Sequence, residues 1–260
     1  VGDGMYKSTD AGQTWTHLGL RDAQQIPKIA VDPKDPNRLF VAALGHPYGP
    51  NQERGIFRST DGGQTFTRVL FKDENTGGKD VDIDPENPNI VYATLWEQRQ
   101  GPWENGAWSG TNGGVFKSTD GGTTWTQLKN GLPAVVNAEL VIAPSNPKRL
   151  YVTAEAAPGT QPGTGLYRSD DAGATWYRPS NDNRPVSRVN EVTPHVSAKD
   201  PDTIIVTDVV SFKSTDGADA FLYRTEGETV LEGEQVWRHP RYNGDGDNRG
   251  GYDVALVRLD

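Results

Sequence analysis

Residues 59–66 read Ser-Thr-Asp-Gly-Gly-Gln-Thr-Phe, and this octet decides the fold. It returns as STDAGQTW at 8–15, STDGGTTW at 118–125, SDDAGATW at 169–176 and, in worn form, STDGADAF at 214–221. The aspartates stand at 10, 61, 120, 171 and 216, a period of about 50 residues interrupted by insertions. Each box has a physical task. Its Asp accepts backbone N–H groups and closes a turn, as expected of Asp10, Asp61, Asp120 and Asp171. Its Gly adopts φ > 0 at no steric cost. Its terminal aromatic offers a large apolar anchor between neighbouring sheets. The box is therefore expected to be structural.

A second element recurs between the boxes. It reads IAVDPKDPNRLFVAAL at 29–44, VDIDPENPNIVYATL at 81–95, VIAPSNPKRLYVTAE at 141–155 and VSAKDPDTIIVTDVV at 196–210. Each copy is a short strand, a Pro/Asn/Asp turn and a second strand. With the two strands around the box, each unit has four antiparallel strands, A to D. Such units repeated around an axis make a β-propeller, an all-β fold of about 4–8 blades.

The motif S-x-D-x-G-x-T-W resembles the Asp box, or bacterial neuraminidase repeat. That repeat is found in sialidases, xyloglucan-degrading glycosidases, sortilin-type receptors and photosystem II assembly propellers. The segments ALGHPYGPNQERGIFRSTDGGQTF, VLFKDENTG and GLYRSDDAGATW look most like bacterial sortilin-related and glycosyl-hydrolase-like repeat proteins. The resemblance implies a ligand site away from the boxes and a secreted or periplasmic setting. The Phe-Arg-Ile-Pro signature of sialidases is not recognisable.

The repeats predict one propeller domain over 1–260 with about five blades. It closes if the C-terminal GYDVALVRLD serves as strand A beside residues 4–18. The alternative is an arc of a larger ring, which would expose sheet faces and self-associate. The start at Val1, in mid-repeat, is expected of a processed form or a piece of a longer protein.

Composition narrows the partners. The 260 residues carry a net charge of −9, which argues against a nucleic-acid backbone. No cysteine is present, which excludes disulfides, thiolate catalysis and Cys-ligated metals. No apolar run is long enough for a membrane helix, and no signal-peptide pattern stands in the chain.

By the strand assignment, box and Pro-rich turns share one face, and the long, variable connections share the other. Binding and catalysis belong on such loops. The segment 96–113 holds Trp96, Trp103 and Trp108 with Arg99, and Tyr48 lies in the 45–54 loop. These suit stacking on sugars or gripping a peptide, or a loop folded over its own tryptophans. Glu97 and Glu104 are candidate paired carboxylates for glycoside hydrolysis. His46, His195 and His239 fall on the same rim and would suit a transition metal if they converge. Asp245 and Asp247 form a partial calcium loop, or a plain solvated turn. The reading is a module binding protein, peptide or carbohydrate. A secreted glycoside hydrolase with two rim carboxylates is the alternative, and metal-dependent activity at the rim histidines a lesser one.

Overall fold

A computed structural model describes residues 2–100, 107–182, 184–186, 192–207 and 211–224, together with the backbone of 236–237 and 256–257. The strands follow the repeat. A first pair comprises β1 (Met5–Lys7) and β2 (Thr16–Gly19). The next sheet is β3 (Lys28–Val31), β4 (Leu39–Ala43), β5 (Gly55–Ser59) and β6 (Thr67–Leu70), in that spatial order. Then come β7 (Thr76–Ile83), β8 (Val91–Gln100), β9 (Ala107–Ser109), β10 (Gly114–Ser118) and β11 (Thr126–Leu128). Here β7, β8, β10 and β11 form the blade, and β9 pairs only with the end of β8. The third blade is β12 (Val135–Ile142), β13 (Leu150–Ala156) and β14 (Gly165–Ser169). Its outer strand is reduced to an Arg168–Tyr177 bridge. The fourth is β15 (Thr193–Val196), β16 (Ile204–Thr207), β17 (Ser211–Ser214) and β18 (Leu222–Arg224). Finally β19 (Val236–Trp237) pairs with β20 (Leu256–Val257).

The strand pairings within the described blades are antiparallel, and two single 3₁₀ turns interrupt them among the described residues. The molecule is an all-β array of propeller blades. No described helix is long and apolar enough to cross a membrane. The outer strand of the fourth blade is Leu222–Arg224, whereas 236–237 serves a separate pair. The described part of the C-terminal segment, Leu256–Val257, pairs with Val236–Trp237. Among the described residues β20 has no pairing with residues 4–18.

The core lies between blades. Tyr92 and Val115 of the second blade pack with Leu140, Leu150, Val152 and Tyr167 of the third, and the box residue Trp176 joins them at 4% exposure. Phe116, partly supported by Trp125, meets Phe40 and Ile56 of the first blade. Trp15 does not anchor in this way. It is 63% exposed, because no described sheet covers its far side.

The box chemistry is the same in each regular copy. Ser59 Oγ donates to Asp61 Oδ1 at 2.7 Å and accepts the Gly63 N–H at 2.9 Å. Asp61 accepts the Thr65 N–H at 2.9 Å and the Thr65 hydroxyl at 2.6 Å. Asp10, Asp120 and Asp171 repeat this set with Thr14, Thr124 and Thr175. The hydroxyl and amide donated by Thr65, then the Ser59 hydroxyl, hold the Asp61 carboxyl far below its ordinary range. Asp10 is lowered to about 2 by the same contacts. The residue after each Asp ties the box to the A–B turn of its own blade: Gly62 N donates to Asn37 O, and Gly121 N to Asn89 O, both at 2.9 Å. Box and A–B turns therefore share one face, and the B–C and D–A connections occupy the other.

Candidate functional site

The loop face is assembled from the first two blades. The long β8 runs past its sheet, so residues 96–100 are strand where a loop was expected, and β9 folds back on it with Arg99 opposite Trp108. The 44–54 connection leans on this extension. Gln100 N donates to Pro47 O at 2.7 Å, and Tyr48 bridges to Gln100. The result presents Tyr48 at 51% exposure beside the exposed Arg99. An aromatic face next to charged and amide groups is suited to a sugar ring.

The other rim candidates have different fates. Trp96 is buried with Leu44, Val136 and Ala157, and its indole N–H donates to Ser109 Oγ at 3.1 Å. Its ring fills the junction of three blades. Glu97 Oε2 accepts the Asn112 N–H at 2.8 Å. A Cβ on Gly110 would sit 2.0 Å from the same oxygen, so the absence of a side chain there lets the loop close on this carboxylate. Glu97 thus organises the 110–112 turn. Trp103, Glu104, His239, Asp245 and Asp247 lie outside the described residues, and of Trp108 only the backbone is described.

His46 and His195, the two described rim histidines, do not converge. His46 sits in the 44–54 loop, 3.9 Å from Glu53. His195 instead lies within β15, an innermost strand, with Nε2 3.3 Å from Thr207 Oγ1. The strand begins before His195 and carries it away from the loops. Among the described residues no group of three His, Asp or Glu side chains is placed to hold a metal.

The strongest electrostatic feature was missed in the sequence. It lies along the innermost strands β3, β7, β12 and β15, which run side by side. A register shift between Gly78 and Asp80 inserts Lys79 as an extra residue in β7. Asp80 and Asp82 then point the same way, to Lys28 of β3, whose Nζ lies 3.1 and 3.4 Å from them. Lys79 pairs with Glu139 of β12 at 2.8 Å. Asp80 also accepts the N–H groups of Leu140 and Val81 at 2.9 and 2.8 Å, so it ties three blades together.

The two aspartates differ in accessibility. The Asp80 side chain is 7% exposed and that of Asp82 is 22%. Burial pushes both carboxyls upward, and Lys28 opposes the shift. Asp82 is raised further by the Asp80 charge, and Asp80 alone takes the two N–H bonds. Asp82 is therefore the less favoured of the two as an anion. Burial disfavours the Lys28 ammonium, but Asp82 and Asp80 more than offset this and hold it above its usual range. Burial, then the Lys28 charge, push His195 down, and Glu139 opposes them.

No family model matches the chain. Over 199 residues it is 29% identical to a "probable oligoxyloglucan-reducing end-specific xyloglucanase" of Neosartorya fischeri, covering 66% of this chain and 22% of that protein. A xyloglucanase of Acetivibrio thermocellus is 28% identical over 209 residues, with the same two shares. One from a Paenibacillus species is 29% identical over 192 residues, covering 73% of this chain and 16% of that protein. The chain thus spans about a fifth of the length of the curated relatives it matches. Among solved structures, an ancestral GH74 enzyme superposes with a TM-score of 0.62 at 19% identity, over 85% of this chain and 28% of that one. The GH74 xyloglucanase of Xanthomonas campestris gives 0.60 at 18%, over 90% and 36%. The chain is an array of propeller blades related in sequence to glycoside hydrolases.

Proposed function

We propose that this chain forms part of a glycoside hydrolase-type propeller that takes a β-glucan of the xyloglucan class across its loop face. The kinship with xyloglucanases supports the polymer class. The geometric observation that carries the reading is Tyr48, held exposed against the β8–β9 extension by its bridge to Gln100. It offers a stacking face at the rim. Of the carboxylates near that face, Glu97 is occupied by the Asn112 amide, and Asp82, opposite Tyr92 at the A–B-turn end of β7, lies away from it. We extend the kinship to the Asp-box repeats, and read residues 1–260 as a stretch of one propeller domain acting outside the cell.

A second reading keeps the same face and drops turnover, since the carboxylate of Glu97 serves the loop. A sortilin-like module would grip a peptide there. The experiment is to incubate the chain with tamarind xyloglucan and with unrelated peptides, and to measure both retention on the immobilised polymer and release of reducing ends. Retention with release supports the hydrolase. Retention without release supports the binding module, and no retention of xyloglucan overturns the β-glucan reading.

A further inference from the structure

Arg54 is fully buried on the loop side of the first blade. Its Nη2 donates to the carbonyls of His46 and Gly49 at 3.1 and 3.3 Å. Its Nε and Nη1 have no hydrogen-bond partner in the protein. No carboxylate pairs with the guanidinium among the described residues. The acidic group that acts on it electrostatically is Asp73. Both oxygens of Asp73 are engaged elsewhere, by Asn75 N at 2.8 Å, by the Thr76 hydroxyl at 2.9 Å and by the Asn112 amide. Glu53 faces His46 rather than Arg54.

A guanidinium does not shed its proton, so burial leaves a cation with two donors to satisfy. An isolated buried charge is strongly disfavoured unless it is paired. The local chain seals the group in. Gly45 has φ +79°, and a Cβ there would lie 2.2 Å from Asn51 Oδ1 and 2.7 Å from Arg54 Cγ. The buried Nε2 of His46 is likewise without a hydrogen-bond partner. When it carries the ring proton it supplies another donor on the same loop.

We propose that Arg54 Nε and Nη1 hold a small monovalent anion of the halide class inside the 44–54 loop. The anion supplies the missing negative charge without displacing the Asp73 contacts. It also stiffens the two carbonyls that Nη2 holds, which flank Tyr48. The inference stands apart from the choice of substrate, because its test reads stability and position.

The test compares thermal unfolding in sodium chloride, sodium bromide and sodium gluconate at one ionic strength. Wild type is expected to melt about 3 °C higher in either halide than in gluconate, and Arg54→Met is expected to lose that difference. Equal midpoints in all three salts for wild type, or the same halide effect in Arg54→Met, would overturn the proposal. Should Arg54→Met fail to fold, crystals of wild type in bromide decide the matter. An anomalous peak within hydrogen-bond distance of Nε and Nη1 upholds the site, and a water at that position sinks it.

Discussion

Arg58 Nη1 donates a 2.7 Å hydrogen bond to the carbonyl of Gly121, which belongs to the box of the next blade. The contact repeats at every described seam. Lys7 reaches Gly62 O at 3.2 Å, Lys117 reaches Ala172 O at 2.7 Å and Arg168 reaches Gly217 O at 3.1 Å. The donor is always the residue before a box Ser, and the acceptor always the residue after the next box Asp. One residue therefore joins its own turn, through its N–H, to the preceding blade, through its carbonyl.

Arg58→Met should weaken the first-to-second seam by about 1.5–3 kcal/mol, the range for a hydrogen bond to a charged group. Urea unfolding measures it. Arg58→Lys should retain most of that stability, because a lysine does the same work at Lys117. An unchanged midpoint in Arg58→Met would show that the seam is held by apolar packing alone.

Ser59→Ala should cost about 1–3 kcal/mol, because it leaves the buried Gly63 N–H without an acceptor. Ligand affinity in the folded fraction should be unaltered, since the box lies on the face opposite Tyr48. Denaturant titration paired with a xyloglucan retention assay checks both halves.

The box aspartates and Asp82 should have opposite signs in a pH–stability profile. A box carboxyl such as Asp61 is depressed by the Thr65 and Ser59 donors. Its contribution is present above the ordinary carboxylate pKa of about 4 and disappears as pH falls through the lower folded value. Asp82 is raised by burial and by Asp80. Its contribution is present below about pH 4 and is lost as pH rises through the folded value. Asp82→Asn should therefore melt above wild type at pH 8, with the gap closing toward pH 4. Midpoints recorded across this range would contradict the assignment if the gap widened on acidification.

Tyr48→Ala should reduce affinity for xyloglucan oligosaccharides about tenfold, equivalent to about 1.4 kcal/mol of lost stacking. The melting temperature should not move, since half of the ring faces water. Calorimetric titration reads the affinity. A full-strength complex would take Tyr48 out of the proposed site.

Much of the fold was legible in residues 59–66 alone. The box closes through contacts two and four residues apart, Ser59 to Asp61 and Asp61 to Thr65, so its chemistry is written locally and its repeats count the blades. The A–B turns and the assignment of loops to one face follow from the same order of strands. The partner of the terminal segment does not follow in the same way, because any apolar strand can pair with any free edge, and its described residues take the nearer one at Val236.

Which rim residues are available to a ligand was decided by tertiary structure. Trp96 and Tyr48 look alike as aromatics in polar company, yet one fills a junction of three blades and the other is held out by Gln100. The cluster of Lys28, Asp80, Asp82, Glu139 and His195 had no signature, since its members are scattered over 168 positions of the chain. Asp82 read as part of a strand–turn repeat, and His195 as a rim residue. Only the side-by-side passage of four inner strands, and one inserted residue at Lys79, brings their charges together. Local turns obey hydrogen bonds between near neighbours and are set by sequence. The pairing of charges across blades depends on strand register and burial, which exist only once the sheets have packed.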